Sequence, residues 1–328
     1  MRIFVAGATG AVSMRLVPLL VEHGHEVVGM TRTPEKADRL RAMGARPSIA
    51  DGLDPGAVTK AVAGAEPEVV VHQMTALTAL SDLRRFDREF APTNRLRTEG
   101  TDHLLAAARA AGCSRFVAQS FAGWPYAREG GPVKDEDDRL DPEPPKQFAS
   151  TLAAIRYMEQ AVVGAWGMEG IILRYGTFYG PGTSISQGGD HLEAVRRRRF
   201  PIVGNGRGVW SLVHIDDVAW GTLAAIERGK RGIYNIVDDE PAAIAEWLPA
   251  LAAAIGARPP RRLPAWVGRL AVGGHAVAIM TEIRGASNHK AKQELGWQPR
   301  YASWRQGFKT LVATEDAKAR QKRGGPDA

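Results

Sequence analysis

The sequence of 328 residues contains a single cysteine and no long run of apolar residues. Cys113 alone excludes an intramolecular disulfide and a multi-cysteine metal site, so we predict no bound metal and, by default, a cytoplasmic location. No segment approaches the roughly 18 apolar residues that a membrane-spanning helix needs. The apolar run in "MRIFVAGATG" passes directly into glycines, which indicates a first β-strand and not a signal peptide.

Basic residues exceed acidic residues, and the formal net charge is +7. The excess is concentrated in "RRRRF" and in the segment "KARQKRGG" near the C-terminus. No aromatic residues are interleaved with these charges as in nucleic-acid binding modules, so we interpret them as a solvated helix face and a frayed terminus. We therefore predict a small-molecule substrate and neither a nucleic-acid nor a membrane partner.

Short β-branched runs alternate with helical patterns through the first half of the chain. The runs include "RIFVAG", "HEVVGMTR", "EVVVHQM", "SRFVAQS" and "GIILRYG". Between them, amphipathic segments such as "RLVPLLVEHG" end in a glycine suited to a helix C-terminus. This alternation predicts an α/β fold with a doubly wound parallel Rossmann sheet.

The first strand is followed by a glycine-containing turn, "AGATGAVS". Gly7 and Gly10 are separated by two residues, and Ser13 occupies a third position that requires a small side chain. Such a turn, at the end of a strand and the beginning of a helix, lets the backbone approach a pyrophosphate. We predict dinucleotide binding, with Gly7, Thr9, Gly10 and Ala11 as contact residues.

The end of the second strand, "MTRTPEK", carries Arg32 at the position where NAD-preferring folds place an acidic residue for the ribose 2′-hydroxyl. A guanidinium can pair with a 2′-phosphate through two hydrogen bonds. We therefore predict NADP as the cofactor in preference to NAD. In the alternative interpretation, Arg32 points into solvent while Thr31 or Thr33 contacts the ribose.

Motifs farther along the chain resemble one family. "GATGAV", "VVVHQMTAL", "RFVAQSFAGWPY", "LRYGTFYGPG", "SLVHIDDVA" and "KQELGWQPRY" follow one another from about residue 1 to 310. Their order and spacing resemble the extended short-chain dehydrogenase/reductases of the NAD-dependent epimerase/dehydratase type. The resemblance implies a Rossmann domain followed by a smaller, mostly helical C-terminal substrate domain, and it implies a homodimer.

The domain boundaries follow from the loss of the βαβ pattern after Gly176. We predict a dinucleotide-binding domain over residues 1–176, completed by residues 211–240. Residues 177–210 and 241–311 form the predicted substrate-binding domain. Residues 312–328 are polar and without periodicity, so we predict a disordered tail.

The resemblance also implies roles for individual residues. Asp51 corresponds to a position that contacts adenine, and Gln73 lies in a loop expected beside the ribose and nicotinamide. Asn94 and Tyr175 complete the expected cofactor set. The positions expected to face the substrate are Phe121, Trp124, Thr177, Phe178 and Trp210.

The catalytic residues of the family are absent. The family uses a serine or threonine after the fifth strand and a tyrosine four residues before a lysine. By position, Phe121 replaces the hydroxyl, with Ser120 next to it, while Gln147 and Thr151 replace the tyrosine and the lysine; we expect these last two on one helical face. None of the six tyrosines has a lysine four residues later. Tyr126, at the end of "SFAGWPY", is the predicted replacement acid.

These substitutions leave more than one function open. The family's nucleotide-sugar enzymes carry an arginine for the diphosphate where Trp210 stands. We therefore predict an NADP-binding oxidoreductase or isomerase with non-standard acid–base residues, acting on an apolar or aromatic molecule that is not a nucleotide sugar. The alternatives are a non-redox cyclase or lyase on the same fold, and an inactive NADP-responsive regulatory protein.

Overall fold

The computed structural model describes residues 1–77, 86–272 and 274–311. Its strands are β1 (Arg2–Ala6), β2 (Glu26–Thr31), β3 (Arg46–Ile49), β4 (Val69–His72), β5 (Arg115–Phe121), β6 (Val133–Lys134), β7 (Glu169–Tyr175), β8 (Thr177–Tyr179), β9 (Ile202–Val203), β10 (Val209–Trp210), β11 (Leu212–His214), β12 (Gly232–Ile236), β13 (Ala242–Ala243), β14 (Arg262–Leu263) and β15 (Gly285–Ala286). Its helices are α1 (Ser13–Glu22), α2 (Ala37–Ala42), α3 (Pro55–Ala63), α4 (Phe86–Arg97), α5 (Glu99–Ala110), α6 (Ala149–Val163), α7 (Asp190–Arg196), α8 (Ile215–Arg228), α9 (Ile244–Ala254), α10 (Ala265–Val272), α11 (Gly274–Thr281) and α12 (His289–Leu295).

Seven strands form one parallel sheet in the order β12-β7-β5-β4-β1-β2-β3. The order reverses direction at β1, where the chain crosses from the β2 side to the β4 side. In open parallel sheets, ligands bind beyond the carboxyl ends of the strands at such a reversal. The topology therefore directs attention to the loops after β1 and β4.

Both faces of the sheet are covered, as a doubly wound fold requires. Alternate side chains of β1 show this: Ile3 and Val5 pack in the apolar cluster that contains Leu16 of α1 and Val218 of α8. Phe4 packs on the opposite face with residues of α3, α5 and α6. The inner strands β1 and β4 are buried on both sides, which explains their nearly continuous apolar sequences, whereas the edge strand β3 is more exposed. The predicted α/β Rossmann fold is confirmed.

A separate apolar cluster lies in the C-terminal half, which is mostly helical. Trp247, Leu248 and Leu251 of α9 pack there with Trp304 and Phe308. Short paired strands, β9 with β14 and β10 with β13, connect this part. The helical C-terminal part agrees with the sequence prediction, whereas the domain boundaries remain predictions. The predicted disordered tail, 312–328, lies outside the described residues.

Sheet register sets which residues share the carboxyl edge. Ala6 at the end of β1 pairs with His72 of β4, and His72 pairs with Ala118 of β5. Phe121, at the end of β5, pairs with Tyr175 of β7. The loops after these strands therefore meet on one side of the molecule, together with the beginnings of α1 and α6. Among the described helices, none is long and apolar enough to cross a membrane.

Candidate active site

The glycine turn after β1 has the backbone geometry of a phosphate-binding loop. Gly7 has φ +82°, and a Cβ there would lie 2.6 Å from the carbonyl oxygen of Gln73, so only glycine fits. The Gly10 N–H donates to the Gly7 carbonyl at 3.1 Å. Within the described structure, the backbone N–H groups of residues 11–13 have no partner at the start of α1. They are available to an anion, and Thr9 lies half-buried beside them.

Two charged residues lie at the carboxyl ends of the next strands. Arg32 is exposed directly after β2, and it makes no ion pair with any residue that the structure describes. Asp51 is exposed just after β3, where its Oδ1 accepts a hydrogen bond from the Leu53 N–H at 3.0 Å. Thr31 is buried, and its hydroxyl accepts from the Thr33 N–H at 3.4 Å. Arg32 is therefore free to meet a phosphate at this edge.

Gln73, directly after β4, presents an unpaired acceptor. Its Nε2 donates to the Tyr175 hydroxyl at 2.9 Å, and that hydroxyl lies 2.8 Å from Thr222 Oγ1. Burial raises the pKa of Tyr175 to about 12, so this phenol keeps its proton at neutral pH. The Gln73 Oε1 atom is buried and has no partner in the described structure. Since buried carbonyl oxygens are normally bonded, it fits a donor from the cofactor.

The first turn of α6 is held by a carboxylate from α4. Asp87 Oδ2 accepts from the Ser150 N–H at 3.0 Å, and its Oδ1 accepts from the N–H and hydroxyl of Thr151 at 2.9 and 2.6 Å. The Asn94 side-chain amide donates to the same Thr151 hydroxyl at 3.0 Å. Thr151 is fully buried. Its hydroxyl proton is therefore committed to Asp87.

Gln147 and Thr151 do not share one helical face as expected. Gln147 is exposed within a short 3₁₀ turn, Lys146–Phe148, whereas α6 begins at Ala149. Phe148 is buried against other aromatic residues and fixes that turn. Gln147 consequently faces solvent while Thr151 faces α4. A neutral amide and a committed hydroxyl are the groups at the two positions that we predict to correspond to the family's acid and lysine.

A buried network of hydrogen-bonded side chains lies behind this turn. Ser120 Oγ donates to Glu159 Oε1 at 2.6 Å. Arg174 donates to both Glu159 oxygens, at 2.9 and 2.6 Å, and to the Tyr126 hydroxyl at 3.2 Å. The Tyr126 hydroxyl donates to Asn235 Oδ1 at 2.7 Å. A buried ion pair with satisfied hydrogen bonds is a structural element whose breakage is costly.

The structure does not place Tyr126 in a substrate pocket, contrary to the sequence-based expectation. Its side chain is fully buried and packs with Ala122, Val237 and Ala286. Burial raises the pKa of Tyr126 to about 12, opposed by the nearby Arg174 charge. The reason is local: an isolated bridge to Leu140 and the hydrogen bond to Asn235 turn the ring inward.

Aromatic side chains gather beside the start of α6. Phe86 stacks on Phe90 with ring centres 4.2 Å apart, and it meets Phe148 edge-on at 4.6 Å. Trp124 lies 4.9 Å from Phe148, and both line a small crevice that Ile279 also borders. We call Phe86, Phe90, Trp124 and Phe148 the aromatic cluster. Phe86, Phe90 and Phe148 are buried, so the cluster is an apolar wall packed on itself beside the strand ends.

The other expected substrate residues are divided between two environments. Phe121 is half-buried at the end of β5, and Thr177 and Phe178 follow β7, where the Phe178 ring lies 5.8 Å from that of Tyr175. These three belong to the carboxyl edge of the sheet. Trp210 instead packs with Trp247 of the C-terminal cluster, with ring centres 5.2 Å apart.

Sequence reasoning missed four charged residues: Asp87, Arg97, Glu159 and Arg174. Arg97 stands one helical turn after Asn94, with its Nη1 3.4 Å from Asn94 Oδ1. The i to i+3 spacing of a polar pair on one helix was the only signal available for it. The Glu159–Arg174 pair joins α6 to β7 over 15 residues, and neither position carries a recognisable local pattern.

The fold and the glycine turn define a dinucleotide-binding protein of the Rossmann type. The model of the NAD dependent epimerase/dehydratase family matches residues 3–237, and the chain belongs to this family. A solved structure, UDP-glucose 4-epimerase of Thermotoga maritima with UDP-glucose, superposes with a TM-score of 0.75 at 22% identity. The match covers 97% of this chain and 100% of the epimerase chain, and it concerns the fold.

Two curated relatives are reductases. A 3-diazoavenalumate denitrifying reductase of Streptomyces sp is 44% identical over 309 residues, which is 94% of this chain and 99% of the relative. A 4-hydroxy-2-methyl-3-oxo-4-farnesyl-3,4-dihydroquinoline-1-oxide ketoreductase of Stigmatella aurantiaca is 31% identical over 254 residues, 76% of this chain and 72% of the relative. The chain is accordingly an NAD(P)-dependent enzyme of the oxidoreductase/epimerase type.

Proposed function

We propose that the chain is an NADP-dependent reductase that delivers hydride to a small molecule which is already electrophilic. The observation that carries the proposal is the state of the α6 turn, where the Thr151 hydroxyl is committed to Asp87 and Gln147 is a neutral amide. General acid assistance is typically worth about 10²–10⁴ in rate. A substrate that is reduced without being protonated does not require a general acid.

A diazo group attached to an aromatic ring meets this requirement. Its terminal nitrogen accepts hydride to form an N–H bond, after which the carbon–nitrogen bond breaks, N₂ leaves and hydrogen replaces it on carbon. The sum, an aryl diazonium ion plus hydride giving an arene plus N₂, balances without an added proton. The name of the Streptomyces relative, a denitrifying reductase of a diazo compound, supports this substrate class. The substrate is then not a nucleotide sugar.

The cofactor residues in this proposal follow the strand ends. The turn of Gly7, Thr9, Gly10 and Ala11 would hold the pyrophosphate at the N-terminus of α1. Arg32 would pair with the 2′-phosphate of NADP, and Asp51 would contact the adenosine half. The unpaired Gln73 Oε1 would accept a hydrogen bond from the nicotinamide half, with Tyr175 holding the Gln73 amide in place. Bound there, NADPH supplies the hydride.

The remaining polar residues would position the substrate and the cofactor and would not transfer a proton to the substrate. We assign Asn94 and Thr151 to shaping the floor beside the nicotinamide ribose, and Gln147 to hydrogen bonding with the substrate or that ribose. Ser120 and Tyr126 would stabilise the buried hydrogen-bond network through their contacts with Glu159 and Arg174.

The apolar wall of the substrate pocket would come from the strand ends and the aromatic cluster. Phe121 and Trp124 follow β5, and Thr177 and Phe178 follow β7, so all four border the same edge. We assign them to contacts with the substrate's ring. Trp210 would shape the pocket from the C-terminal part.

The test is turnover of an arenediazonium salt labelled with ¹⁵N at its terminal nitrogen. With purified protein and NADPH, we expect loss of NADPH, formation of arene and release of labelled N₂ in equal amounts. The rate should lack a tyrosine-type pH dependence around neutrality. Protein-free and heat-denatured mixtures give the background. NADPH consumption that never exceeds this background would remove the proposal.

Ketone reduction is the second candidate, because the Stigmatella relative is named a ketoreductase. An activated ketone would be reduced without an acid more slowly than a diazonium ion, and a panel of ketones run beside the diazonium salt separates the two. Neither non-redox cyclisation nor a purely regulatory role has support from the relatives named above. Cytoplasmic location and a homodimer remain predictions.

A further inference from the structure

Arg97, the last residue of α4, is a half-buried cation without a carboxylate partner among the described residues. Its hydrogen-bond partner is Asn94 Oδ1, at 3.4 Å. Burial lowers the pKa of the guanidinium to about 10, partly offset by the charge of Glu159, so Arg97 stays charged at neutral pH. A charge partly withdrawn from water is unfavourable unless a bonded partner of opposite charge compensates it, and Glu159 does so only in part. Such a residue is suited to an anionic ligand that supplies the missing partner.

Arg97 lies on the nicotinamide side of the cofactor site. The carbonyl of the preceding residue, Leu96, lies 3.2 Å from Nε2 of His72 at the end of β4, and Asn94, one turn earlier, donates to Thr151 of α6 at 3.0 Å. The charge of Glu159 on α6 also acts on Arg97. Glu159 in turn accepts from Ser120 near the end of β5. Arg97 therefore sits among the ends of β4 and β5 and helix α6. The cofactor's own anions are held elsewhere, since the phosphate turn begins α1 and Arg32 follows β2.

The aromatic cluster adjoins this cation, with Phe86, Phe90 and Phe148 buried and Trp124 half-buried. The Arg97 guanidinium carbon lies 5.9 Å from the centre of the Phe90 ring, which stacks on Phe86. Phe86 contacts Trp124 and Phe148, which are two of the residues that line the crevice. A cation at the end of an aromatic cluster matches a flat aromatic molecule with an anionic oxygen at one end.

We propose that Arg97 binds an anionic oxygen substituent, a carboxylate or a deprotonated hydroxyl, of the aromatic substrate and thereby selects anionic over neutral arenes. The inference rests on the proposed reductase function for the identity of the reacting group, but the binding step does not require turnover. The planar guanidinium can meet such an oxygen pair through two parallel hydrogen bonds. Anchoring this end leaves the electrophilic end of the substrate away from the cation and free to face the nicotinamide.

The binding experiment uses two unreactive arenes, 2-naphthoate and its neutral amide, titrated calorimetrically into the full-length protein saturated with NADP. We expect the wild type to bind the carboxylate and Arg97→Ala to bind it about 10- to 100-fold more weakly, with Arg97→Lys between them. Affinity for the amide should change less than twofold in either variant. Arg95→Ala is the matched control, because Arg95 is on the same helix but exposed and paired with Glu99.

A second measurement separates this inference from the proposed function. For 4-carboxybenzenediazonium and 4-methylbenzenediazonium, Arg97→Ala should raise KM for the carboxylate alone and leave NADPH affinity unchanged. If no diazonium is reduced but naphthoate binding still depends on Arg97, the anion site stands and the reaction does not. Equal losses for charged and neutral ligands, or weaker NADPH binding, would overturn the anion site. Thermal unfolding of each variant identifies losses caused by misfolding, which the Arg97→Lys variant is chosen to avoid.

Discussion

Asp87 of α4 accepts the Thr151 hydroxyl at 2.6 Å and thereby fixes the first turn of α6 from outside that helix. Two further hydrogen bonds, from the N–H groups of Ser150 and Thr151, complete the attachment. A helix N-terminus has unpaired N–H groups and a positive partial charge, so a carboxylate is well suited to it. The Asp87 carboxylate therefore caps the turn that contains Thr151, the residue that we predict at the position of the family's catalytic lysine.

We predict that Asp87→Ala destabilises the protein by about 1–3 kcal/mol, because three hydrogen bonds and a favourable charge at the helix end are lost. Urea denaturation of the variant and wild type measures the change. Asp38→Ala is the control, since Asp38 is exposed and only pairs with Arg41 within α2. Equal stabilities of the two variants would show that Asp87 does not hold the turn.

We expect Arg32→Ala to remove most of the preference for NADP(H) over NAD(H). Arg32 is exposed at the end of β2 without an ion pair in the described structure, so its loss should cost only the bond to the 2′-phosphate. A charge-assisted pair at an exposed site corresponds to about a tenfold change in affinity. Fluorescence titration with both reduced cofactors measures it. Equal affinities of the unmutated protein for the two would contradict the NADP assignment.

The fold was accessible from sequence because its signals are local and repeated. The run "EVVVHQM" is apolar on both faces, and β4 is indeed buried on both sides between β1 and β5. Asp54 precedes a proline in "LDPGAV", and its carboxylate accepts the Ala57 N–H at 3.0 Å as a cap of α3. Such features depend on a few neighbouring residues, so a single sequence contains them.

The site was less accessible because its contacts join distant segments. Asp87 reaches Thr151 across 64 positions, and Tyr126 reaches Asn235 across 109. Position in a motif indicated that Tyr126 follows β5 but not which way its ring turns. That orientation depends on Arg174 and Asn235, two strand residues whose side chains give no local signal.

Tyr126→Phe should retain turnover, in contrast to the loss expected if Tyr126 were the acid. Its hydroxyl bridges Arg174 and Asn235 inside the core, so we expect a loss of about 1–3 kcal/mol in the free energy of unfolding and little change in kcat/KM. Steady-state kinetics with the diazonium substrate and urea denaturation report the two effects separately. Tyr157→Phe is the matched control, because its hydroxyl bonds to Asp102 at the surface.

A loss of turnover in Tyr126→Phe without a loss of stability would restore Tyr126 as the acid. It would also require the ring to leave the position seen here, since a fully buried phenol that donates to Asn235 has no route to a substrate. Kinetics and urea denaturation of Tyr126→Phe together therefore show whether the Tyr126 hydroxyl has a structural or a catalytic role.

His72 should make the protein sensitive to acid. Burial lowers its pKa from 6.5 to about 4, with the charge of Arg97 acting in the same direction. The folded state thus binds fewer protons than the unfolded state between these values, so this stabilising contribution is complete above pH 6.5 and lost as the pH falls towards 4. The shift corresponds to a loss on the order of 3 kcal/mol across that window.

His72→Gln tests this assignment. The imidazole accepts from the Met74 N–H and pairs with the Leu96 carbonyl, and a glutamine amide offers one acceptor and one donor for the same partners but cannot be protonated. Urea denaturation at several pH values should show the variant losing less stability than the wild type on acidification, whatever its stability at neutral pH. His23→Gln, at an exposed position, should follow the wild type. Parallel pH profiles for the wild type and His72→Gln would show that other buried groups govern the acid response.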